Sequence, residues 1–380
     1  MRVGLVFGGR SVEHLVSVRS ARAIAAALAE AGHDVVPLGI SEDGHLLAES
    51  AAKEVLDSDT AVLPVLHNTS VVKSFAAAFA ENFANVDVVF PIVHGTYGED
   101  GKLQGLLEML DLPYVGAPTA ASAIAMDKAV CKEVLAAHGL PVVEHHLVCA
   151  ADFSKNASNV VGNILQNESL KGFPLFVKPS VGGSSVGCKK ANNEEELHAA
   201  LKFALGFHPV ALVERLVQGR ELECAVLGGT TPEASCIGEI VPGSDFYDYA
   251  DKYVNDDAGL LAPAPLGEKT GALLQEKAKD AFLAVGAHGM ARVDFFLESS
   301  LDDDDDNNDV QKDKTPRLLI NEINTLPGFT RISMYPRLWQ ESGRPMKVLV
   351  NDLVNLAIAR HEENNRMNAS IRDWVESQKS

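Results

Sequence analysis

Three polar side chains in the C-terminal part of the sequence could together bind a divalent cation. The segment ARVDFF places Arg292 and Asp294 two residues apart, and LLINEINTLPG places Glu322 and Asn324 two residues apart. Residues two apart on a strand share one face of the sheet. If the two strands are neighbours, the oxygens of Asp294, Glu322 and Asn324 form a ligand set that suits Mg²⁺. The alternative is that Arg292 simply pairs with a carboxylate on a hydrated sheet face.

A glycine-rich segment, FPLFVKPSVGGSSVGCK at 173–189, is a second place for charge recognition. Gly182 and Gly187 have the glycine spacing of a P-loop, but Cys188 stands where the P-loop lysine belongs. Lys178 instead precedes the glycines, and the residues after them look extended rather than helical. The pattern predicts a hairpin whose tip folds over a ligand, or a plain flexible hairpin turn.

Three other places in the sequence each allow two interpretations, one functional and one purely structural. In HGTYGEDG, His94 lies among glycines and indicates either a loop near a ligand or an ordinary βα connection. Lys128 lies in a helical pattern, where a lone lysine is ordinarily a solvated charge. FYDYADKY at 246–253 carries four aromatic residues in a loop predicted over 241–266, which is typical of a lid or of an exposed irregular loop.

The bulk composition limits the possible functions. The chain has 380 residues, which suits two or three domains, and a net charge of −19, which disfavours nucleic acids and anionic membranes as partners. No apolar run is long enough to span a bilayer, and the start of the chain predicts a strand, not a signal peptide. Five scattered cysteines predict neither zinc nor disulfides and fit the cytoplasm. The Asp-rich stretch 301–309 predicts a solvated loop, with calcium binding as a weak alternative.

Periodicity predicts the order of the secondary structure. The first third alternates strand and helix, which indicates a parallel sheet covered by helices. A single helix is predicted over 121–139, followed by the glycine-rich hairpin and a helix that begins at Asn192 or Asn193. From about residue 210 strands become frequent, which predicts an α+β region with a mainly antiparallel sheet.

The order of these motifs closely resembles that of the D-alanine–D-alanine ligases of the ATP-grasp superfamily, over nearly the whole chain. The motifs are GGRSVEHLVS, HGTYGEDG, MDK, VKPSVGGSSVG, VERLVQGRELECAVLG, FYDYADKY, ARVDFF and EINTLPGFTRISMYP. The resemblance implies a three-domain ATP-grasp architecture, α/β and α+β, with an N-terminal Rossmann-like parallel sheet. The implied domains are an N-terminal domain at 1–120, a central subdomain with the phosphate flap at 121–213, and a C-terminal subdomain with the lid and metal site at 214–380.

The resemblance also implies an activity and its site. Two D-alanines are joined through a D-alanyl phosphate, with release of ADP and phosphate, for peptidoglycan synthesis. The positions that match ATP-binding residues are Lys128, Lys178, Ser184, Ser185, Glu214, Arg215, Val217, Glu221 and Lys252. The positions that match ligands of two Mg²⁺ or Mn²⁺ ions are Asp294, Glu322 and Asn324. The positions that match substrate-binding residues are Glu13, His94, Lys252, Ser333 and Met334.

Catalytic roles are implied for six positions. Glu13 matches the group that holds the first D-alanine's ammonium, and Ser333 matches a group that holds the second D-alanine's carboxylate. Arg292 and the Gly328 N–H match the groups that stabilise the tetrahedral oxyanion. Tyr253 matches the lid tyrosine that reaches Ser184 and Glu13. Together these matches predict that closure over ATP and closure over D-alanine are one event.

The sequence departs from the family at a few places and leaves rivals open. Leu15 stands where many relatives carry a second acid, and the lid reads YADKY where many read YEAKY. The rivals are a D-alanine–D-serine or D-alanine–D-lactate ligase, another ATP-grasp carboxylate–amine ligase, and a nucleotide-binding protein without turnover. Tyr253 favours the dipeptide over the depsipeptide product. The resemblance further implies a cytoplasmic homodimer that takes two D-alanines as partners, with no nucleic acid and no membrane.

Overall fold

The computed structural model describes residues 1–58, 62–65, 70–74, 76, 83–241, 259–298, 317–330 and 332–379. Its strands are β1 (Arg2–Gly8), β2 (Asp34–Ile40), β3 (Val88–Pro91), β4 (His145–Cys149), β5 (Leu175–Pro179), β6 (Lys189–Ala191), β7 (Val210–Arg215), β8 (Gly219–Gly228), β9 (Glu233–Val241), β10 (Gly259–Leu261), β11 (Gly289–Glu298) and β12 (Arg317–Asn324).

Helices follow several of these strands, singly or two or three in succession. They are α1 (His14–Glu30), α2 (Glu49–Asp57), α3 (Lys102–Met109), α4 (Thr119–Met126), α5 (Lys128–Ala137), α6 (Ala150–Lys155), α7 (Ala157–Leu165), α8 (Glu194–Ala204), α9 (Glu268–Ala284), α10 (Met334–Glu341) and α11 (Met346–Ser377). Within the described ranges, two short 3₁₀ turns lie at Phe83–Asn85 and Glu168–Leu170.

The N-terminal sheet is parallel, as predicted. β1 lies between β2 and β3 and pairs in parallel with both. Six of the seven residues of β1 are buried, which is the pattern of a strand covered on both faces. α1 packs on this sheet and ends at Glu30, two residues before Gly32, whose φ of +85° suits glycine.

The central sheet has the order β4-β7-β5-β6 and is antiparallel throughout. β5 pairs with β6 with Leu175 opposite Ala191, so the predicted glycine-rich hairpin is confirmed. Asn193 caps α8, with its side chain accepting a hydrogen bond from the Glu196 N–H. β7 continues through Arg215, so the predicted domain boundary after residue 213 falls inside this strand.

The third sheet has the order β10-β9-β8-β11-β12 and is antiparallel, as predicted. The loop predicted over 241–266 was too long, because Gly259–Leu261 forms β10 and pairs with β9. Residues 246–253, the predicted lid, lie outside the described residues. The same holds for the Asp-rich stretch 301–309, although the strands on either side of it pair as expected, with Glu298 opposite Arg317.

The single helix predicted over 121–139 is wrong, because the structure has two helices that meet at Asp127. Asp127 is extended, with ψ of 100°, and forms an isolated β-bridge with Val181. Its carboxylate accepts hydrogen bonds from the N–H groups of Ala129 and Val130 and so caps α5. The break therefore fixes Lys128 as the first residue of a new helix, next to the glycine-rich hairpin.

The first and last parts of the chain share one core. Phe329 packs edge-on against Phe90 of β3, with ring centroids 6.1 Å apart, and lies beside Tyr335 of α10. Arg360 joins α11 to the N-terminal part by donating hydrogen bonds to the carbonyls of Tyr114 and Gly116. From Glu362 onward the described residues of α11 are exposed. Among the described residues, no helix combines the length and apolarity that crossing a membrane requires.

Candidate active site

One cavity of about 950 Å³ is lined by α1 and by strands of the central and third sheets, and every predicted site residue that the structure describes lines it. These residues are Glu13, His94, Lys128, Lys178, Ser184, Ser185, Glu214, Arg215, Val217, Glu221, Arg292, Asp294, Glu322, Asn324, Gly328, Ser333 and Met334. Lys252 and Tyr253 lie outside the described residues. Fold topology therefore brings together positions that are more than 300 residues apart in the sequence.

The tip of the glycine-rich hairpin contacts the beginning of α1. Ser184 and Ser185 both have positive φ, 50° and 59°, a backbone conformation that costs L-residues free energy and concentrates at functional sites. Ser184 Oγ donates a hydrogen bond to Glu13 Oε1. A Cβ on Gly183 would fall 2.7 Å from Glu13 Oε2, so a larger residue would have to displace this carboxylate. The hairpin tip and Glu13 thus form one connected wall of the cavity.

Glu13 occupies the N-cap position of α1 but does not cap the helix. Its carboxylate is instead turned toward the hairpin, as the bond from Ser184 shows. Leu15, the departure from the family pattern, is 53% exposed and is absent from the cavity wall among the described residues. The substitution therefore places no apolar group against Glu13 within the cavity.

His94 is buried beside Glu99 at the same end of the cavity. Its Nδ1 lies 3.3 Å from Glu99 Oε1 and 3.1 Å from the Leu326 carbonyl, and its Nε2 lies 3.1 Å from Ser20 Oγ. Burial alone would lower the pKa of His94, but the hydrogen bond and attraction to Glu99 raise the pKa above its ordinary value. Sequence reasoning found His94 and missed Glu99, although the motif HGTYGEDG contains both.

Two predicted lysines reach the cavity from different elements. Lys128, at the start of α5, donates a hydrogen bond of 2.8 Å to the Gly182 carbonyl, and its Nζ lies 3.4 Å from Glu322 Oε2. Burial alone would lower the pKa of Lys128, but Glu322 raises it above its ordinary value. Lys178, on β5, donates a hydrogen bond of 3.2 Å to Asn321 Oδ1. Lys128 is therefore not the solvated helix charge that its local pattern allowed.

Glu214 lies between two buried lysines. Its Oε2 is 2.9 Å from Lys178 Nζ, and its Oε1 is 3.0 Å from Lys132 Nζ. Burial would raise the pKa of Glu214, but attraction to Lys132 and Lys178 outweighs burial and lowers the pKa below its ordinary value. Lys132 was missed in the sequence, although its spacing of four residues from Lys128 puts both on one helix face.

The Arg215 side chain forms ion pairs with two carboxylates. Its Nε donates a hydrogen bond of 2.6 Å to Glu144 Oε2, and its two terminal nitrogens donate to both oxygens of Glu298. The bidentate geometry is the one a guanidinium forms best. The side chain of Arg215 is thus a link between β7 and β11.

The predicted polar residues of β11 and β12 do lie on neighbouring strands. Asp294 pairs directly with Glu322, and Arg292 pairs with Asn324. Arg292 donates two hydrogen bonds of 2.7 Å to Asp294, and its Nε lies 3.2 Å from Glu223 Oε1. Burial alone would lower the pKa of Arg292, but Asp294 and Glu223 raise it well above its ordinary value. The ion pair weighed as the alternative to a metal site is therefore formed.

The donor chemistry of this corner nevertheless fits a hard cation. Asp294, Glu322 and Asn324 offer only oxygens, and Glu322 keeps a side chain 30% exposed toward the cavity. Within the described ranges, no group of three or more histidine, cysteine, aspartate or glutamate side chains has the geometry of a metal site. The predicted set contains two carboxylates and one amide, so it depends on ligands beyond the protein to complete a coordination shell.

A bulge in β12 brings an additional residue to the cavity. The pairing register shifts between Asp294 and Phe295, so that Glu322 and Ile320 are the partners on β12 and Asn321 is left over. Bulges near active sites commonly redirect a side chain in this way. Asn321 consequently lines the cavity beside Glu322 and accepts the bond from Lys178. Strict alternation along the strand would put Asn321 on the face opposite Glu322.

The far end of the cavity is formed by the segment that precedes α10. Ser333 Oγ accepts a hydrogen bond of 3.0 Å from the Thr330 N–H and lies 2.8 Å from Thr330 Oγ1. A Cβ on Gly328 would fall 2.7 Å from Ser333 Oγ. Gly328 therefore allows its backbone to approach Ser333, and both line the cavity with Met334.

Comparison with known proteins decides the family. The family model described as D-ala D-ala ligase N-terminus matches residues 2–117. The family model described as D-ala D-ala ligase C-terminus matches residues 134–355. The chain is 40% identical to D-alanine–D-alanine ligase A of Escherichia coli strain K12, with 98% of this chain and 99% of that protein covered. This chain belongs to the D-alanine–D-alanine ligase family.

Two solved structures show the same fold. The D-alanine–D-alanine ligase from Coxiella burnetii superposes with a TM-score of 0.77 and 33% identity, covering 98% of this chain and 99% of that one. The VanG D-Ala:D-Ser ligase from Enterococcus faecalis superposes with a TM-score of 0.74 and 29% identity, covering 94% and 99%. The predicted ATP-grasp architecture of the ligase family is confirmed, and the chain is an enzyme of that family.

Proposed function

We propose that this chain joins two D-alanines to D-alanyl-D-alanine, with cleavage of ATP to ADP and phosphate, for peptidoglycan synthesis. The match to D-alanine–D-alanine ligases over the whole chain carries the proposal. A carboxylate resists attack by an amine until its oxygen becomes a leaving group, which is why ATP is consumed. The reaction then passes through a D-alanyl phosphate.

ATP is proposed to lie under the glycine-rich hairpin. The ammonium groups of Lys128 and Lys178 face this part of the cavity, and positive charge there offsets the charge that phosphoryl transfer spreads over oxygens. Apolar side chains of Phe176, Val217 and Phe296 line the same cavity and offer a surface for the adenine. Glu221 is proposed to bind the ribose.

Two Mg²⁺ or Mn²⁺ ions are proposed to be held by Asp294, Glu322 and Asn324. Bound there, the ions would supply positive charge to the phosphate oxygens. Arg292 stays charged between Asp294 and Glu223, so its guanidinium can stabilise the oxyanion that forms when the second D-alanine attacks. The Gly328 N–H is proposed to be its partner in that role.

The two D-alanines are proposed to bind between α1 and the segment before α10. Glu13 binds the ammonium of the first D-alanine and Ser333 the carboxylate of the second, with His94 and Met334 beside them. The bond between Ser184 and Glu13 joins the phosphate flap to this subsite, so that closing the flap excludes water from the acyl phosphate. Lys252 and Tyr253 stay predictions for the lid.

The wider setting is also proposed. All five cysteines are free thiols, which fits the reducing cytoplasm, where ATP is supplied. The net charge of −19 argues against nucleic acid as a partner. A homodimer and the division at residues 120 and 213 are carried over from the family resemblance.

Product analysis tests the proposal. The protein is incubated with ATP, Mg²⁺ and D-alanine, alone and with equimolar D-serine or D-lactate, and products are identified by mass. We expect D-alanyl-D-alanine as the main product, with one phosphate released per dipeptide, and no product from L-alanine. A depsipeptide as the main product at neutral pH, or the absence of D-alanine-dependent phosphate release, would contradict the proposal.

D-Serine as the acceptor is the second candidate, because a D-Ala:D-Ser ligase has the same fold as this chain. The same competition experiment separates the two candidates. Excess D-alanyl-D-serine when both acceptors are present at equal concentration would favour the second candidate.

A further inference from the structure

Lys132 is a buried lysine that the proposed reaction leaves without a role. Its side chain is 1% exposed and does not line the cavity, so among the described residues it has no surface that could touch a ligand there. Its described charged partner within 4 Å is Glu214, at 3.0 Å. Burying an ammonium costs free energy, so a buried lysine needs a strong ionic partner or a function that compensates for this cost. Through direct contact, Lys132 therefore reaches the cavity by way of Glu214.

Glu214 passes that effect to Lys178, which does line the cavity. Glu214 Oε2 lies 2.9 Å from Lys178 Nζ, and Asn321 Oδ1 accepts a hydrogen bond of 3.2 Å from the same nitrogen. An ammonium carries three N–H groups. With Glu214 and Asn321 on two sides of the nitrogen, one N–H remains to point toward the cavity, so the direction of Lys178 is fixed from behind.

Lys132 also decides how much of the charge of Lys178 is left for a ligand. If Lys178 and Glu214 formed an ion pair without Lys132, the pair would be neutral overall and would attract phosphate weakly. The second lysine shares the carboxylate, so with all three groups ionised the three side chains carry one excess formal positive charge. The shared carboxylate stays ionised, since attraction to both lysines lowers its pKa.

We propose that Lys132 is a positioning residue for phosphate binding, which acts through Glu214 to hold Lys178 and to leave its charge available to ATP. This inference rests on the proposed use of ATP by the chain. It assigns to Lys132 a role that differs from that of Lys128, one helical turn earlier, which borders the cavity directly.

Direct nucleotide binding tests the inference without turnover. Calorimetry measures the affinity of the full chain for ATP with Mg²⁺, and for adenosine, in the absence of D-alanine. We expect Lys132→Met to weaken ATP binding about tenfold, the size of one charge-assisted contact, and to change adenosine binding less than about twofold. Lys132→Arg keeps the charge and is expected to recover most of the ATP affinity. Lys269→Met, at an exposed lysine at the start of α9, is the matched control and should bind both ligands as wild type does.

A double-mutant cycle tests whether Lys132 acts through Glu214. If it does, Lys132→Met has little further effect on ATP binding in a Glu214→Gln background, because the carboxylate to be shared is gone. Circular dichroism at the temperature of the titration establishes that each variant is folded. If Lys132→Met alone is not folded, the double variant, which buries fewer charges, is compared with Glu214→Gln instead.

Equal weakening of ATP and adenosine binding by Lys132→Met would show a merely structural role and overturn the inference. So would unchanged ATP affinity, or a full Lys132→Met effect in the Glu214→Gln background. A wild-type chain that binds neither ligand would overturn the proposed function itself, which keeps the two failures apart.

Discussion

Two ionic clusters of opposite excess charge lie at one cavity, which every member except the buried Lys132 lines. The clusters are built differently. The lysine cluster contains three lysines and one carboxylate, namely Lys128, Lys132, Lys178 and Glu214. The carboxylate cluster contains one arginine and three carboxylates, namely Arg292, Glu223, Asp294 and Glu322. Formal charges leave an excess of two positive charges in the first and two negative charges in the second.

The clusters also differ in depth. Glu214 is 4% exposed in its side chain, whereas Glu322 is 30% exposed, and the contact between Lys128 and Glu322 joins the two clusters. A buried carboxylate that loses its charge leaves its lysines uncompensated, while an open one can be replaced by water. The lysine cluster should therefore matter first for folding and the carboxylate cluster first for turnover. Glu214→Gln and Glu322→Gln are the isosteric pair that tests this difference.

Glu214→Gln should have the largest effect on stability. Removing one partner of a buried ion pair typically costs about 3–5 kcal/mol, and here two lysines lose their carboxylate. The free energy of unfolding from urea titration measures the loss. A change below about 1 kcal/mol would show that the lysine cluster is not needed for folding.

Glu322→Gln should keep the fold and lose turnover. We expect kcat to fall about 10²–10³-fold or more, as when a group that stabilises transition-state charge is removed, because the proposed metal ligand loses its charge. The free energy of unfolding should change by less than about 1 kcal/mol, since the side chain is partly solvated. Wild-type kcat in this variant would refute the metal assignment.

Acid should weaken the lysine cluster in a defined pH range. The pKa of Glu214 is lowered in the folded chain from an ordinary value of 4.5, so the unfolded chain binds more protons just below pH 4.5. The stability contributed by Glu214 is complete above the unfolded pKa and is lost as the pH falls through the folded pKa, by about 1.4 kcal/mol for every pH unit that separates the two pKa values. Glu214→Gln should lack this part of the pH dependence of unfolding. Equal slopes in the two proteins below pH 4.5 would contradict the assignment.

An exposed ion pair shows the smallest effect expected when one partner of an ion pair loses its charge. Lys277 and Asp280 on α9 pair at 2.9 Å, with side chains 29% and 43% exposed. Asp280→Asn should change the free energy of unfolding by less than about 0.5 kcal/mol and leave kcat as in wild type. A loss similar to that of Glu214→Gln would mean that burial does not explain the difference between the clusters.

Much of the site could be predicted from residue types and short spacings. Alternation along strands predicted that Asp294 shares one face with Arg292, and Glu322 with Asn324, and the structure confirms that β11 and β12 pair. The order of a strand, Lys178 and glycines predicted the hairpin correctly. These are properties of a few consecutive residues, and local sterics and hydrogen bonding decide them.

The errors came where distant parts of the chain compete with local preference. The apolar periodicity of 121–139 favours one helix, yet the bridge from Asp127 to Val181 and the cap on α5 break it. β10 carries little strand signal in three residues and forms because β9 offers a free edge. Asn321 reaches the cavity only through the bulge against β11.

The sequence by itself determined which charges the chain carries, in what order, and on which face of each helix or strand they lie. Only the tertiary structure decided which charges meet. Lys132, Lys178 and Glu214 lie on three separate elements, and a carboxylate has no specific partner until the chain has closed the loops between them. Burial then strengthens each pairing by removing water, so the excess charge that awaits a ligand exists only in the folded chain.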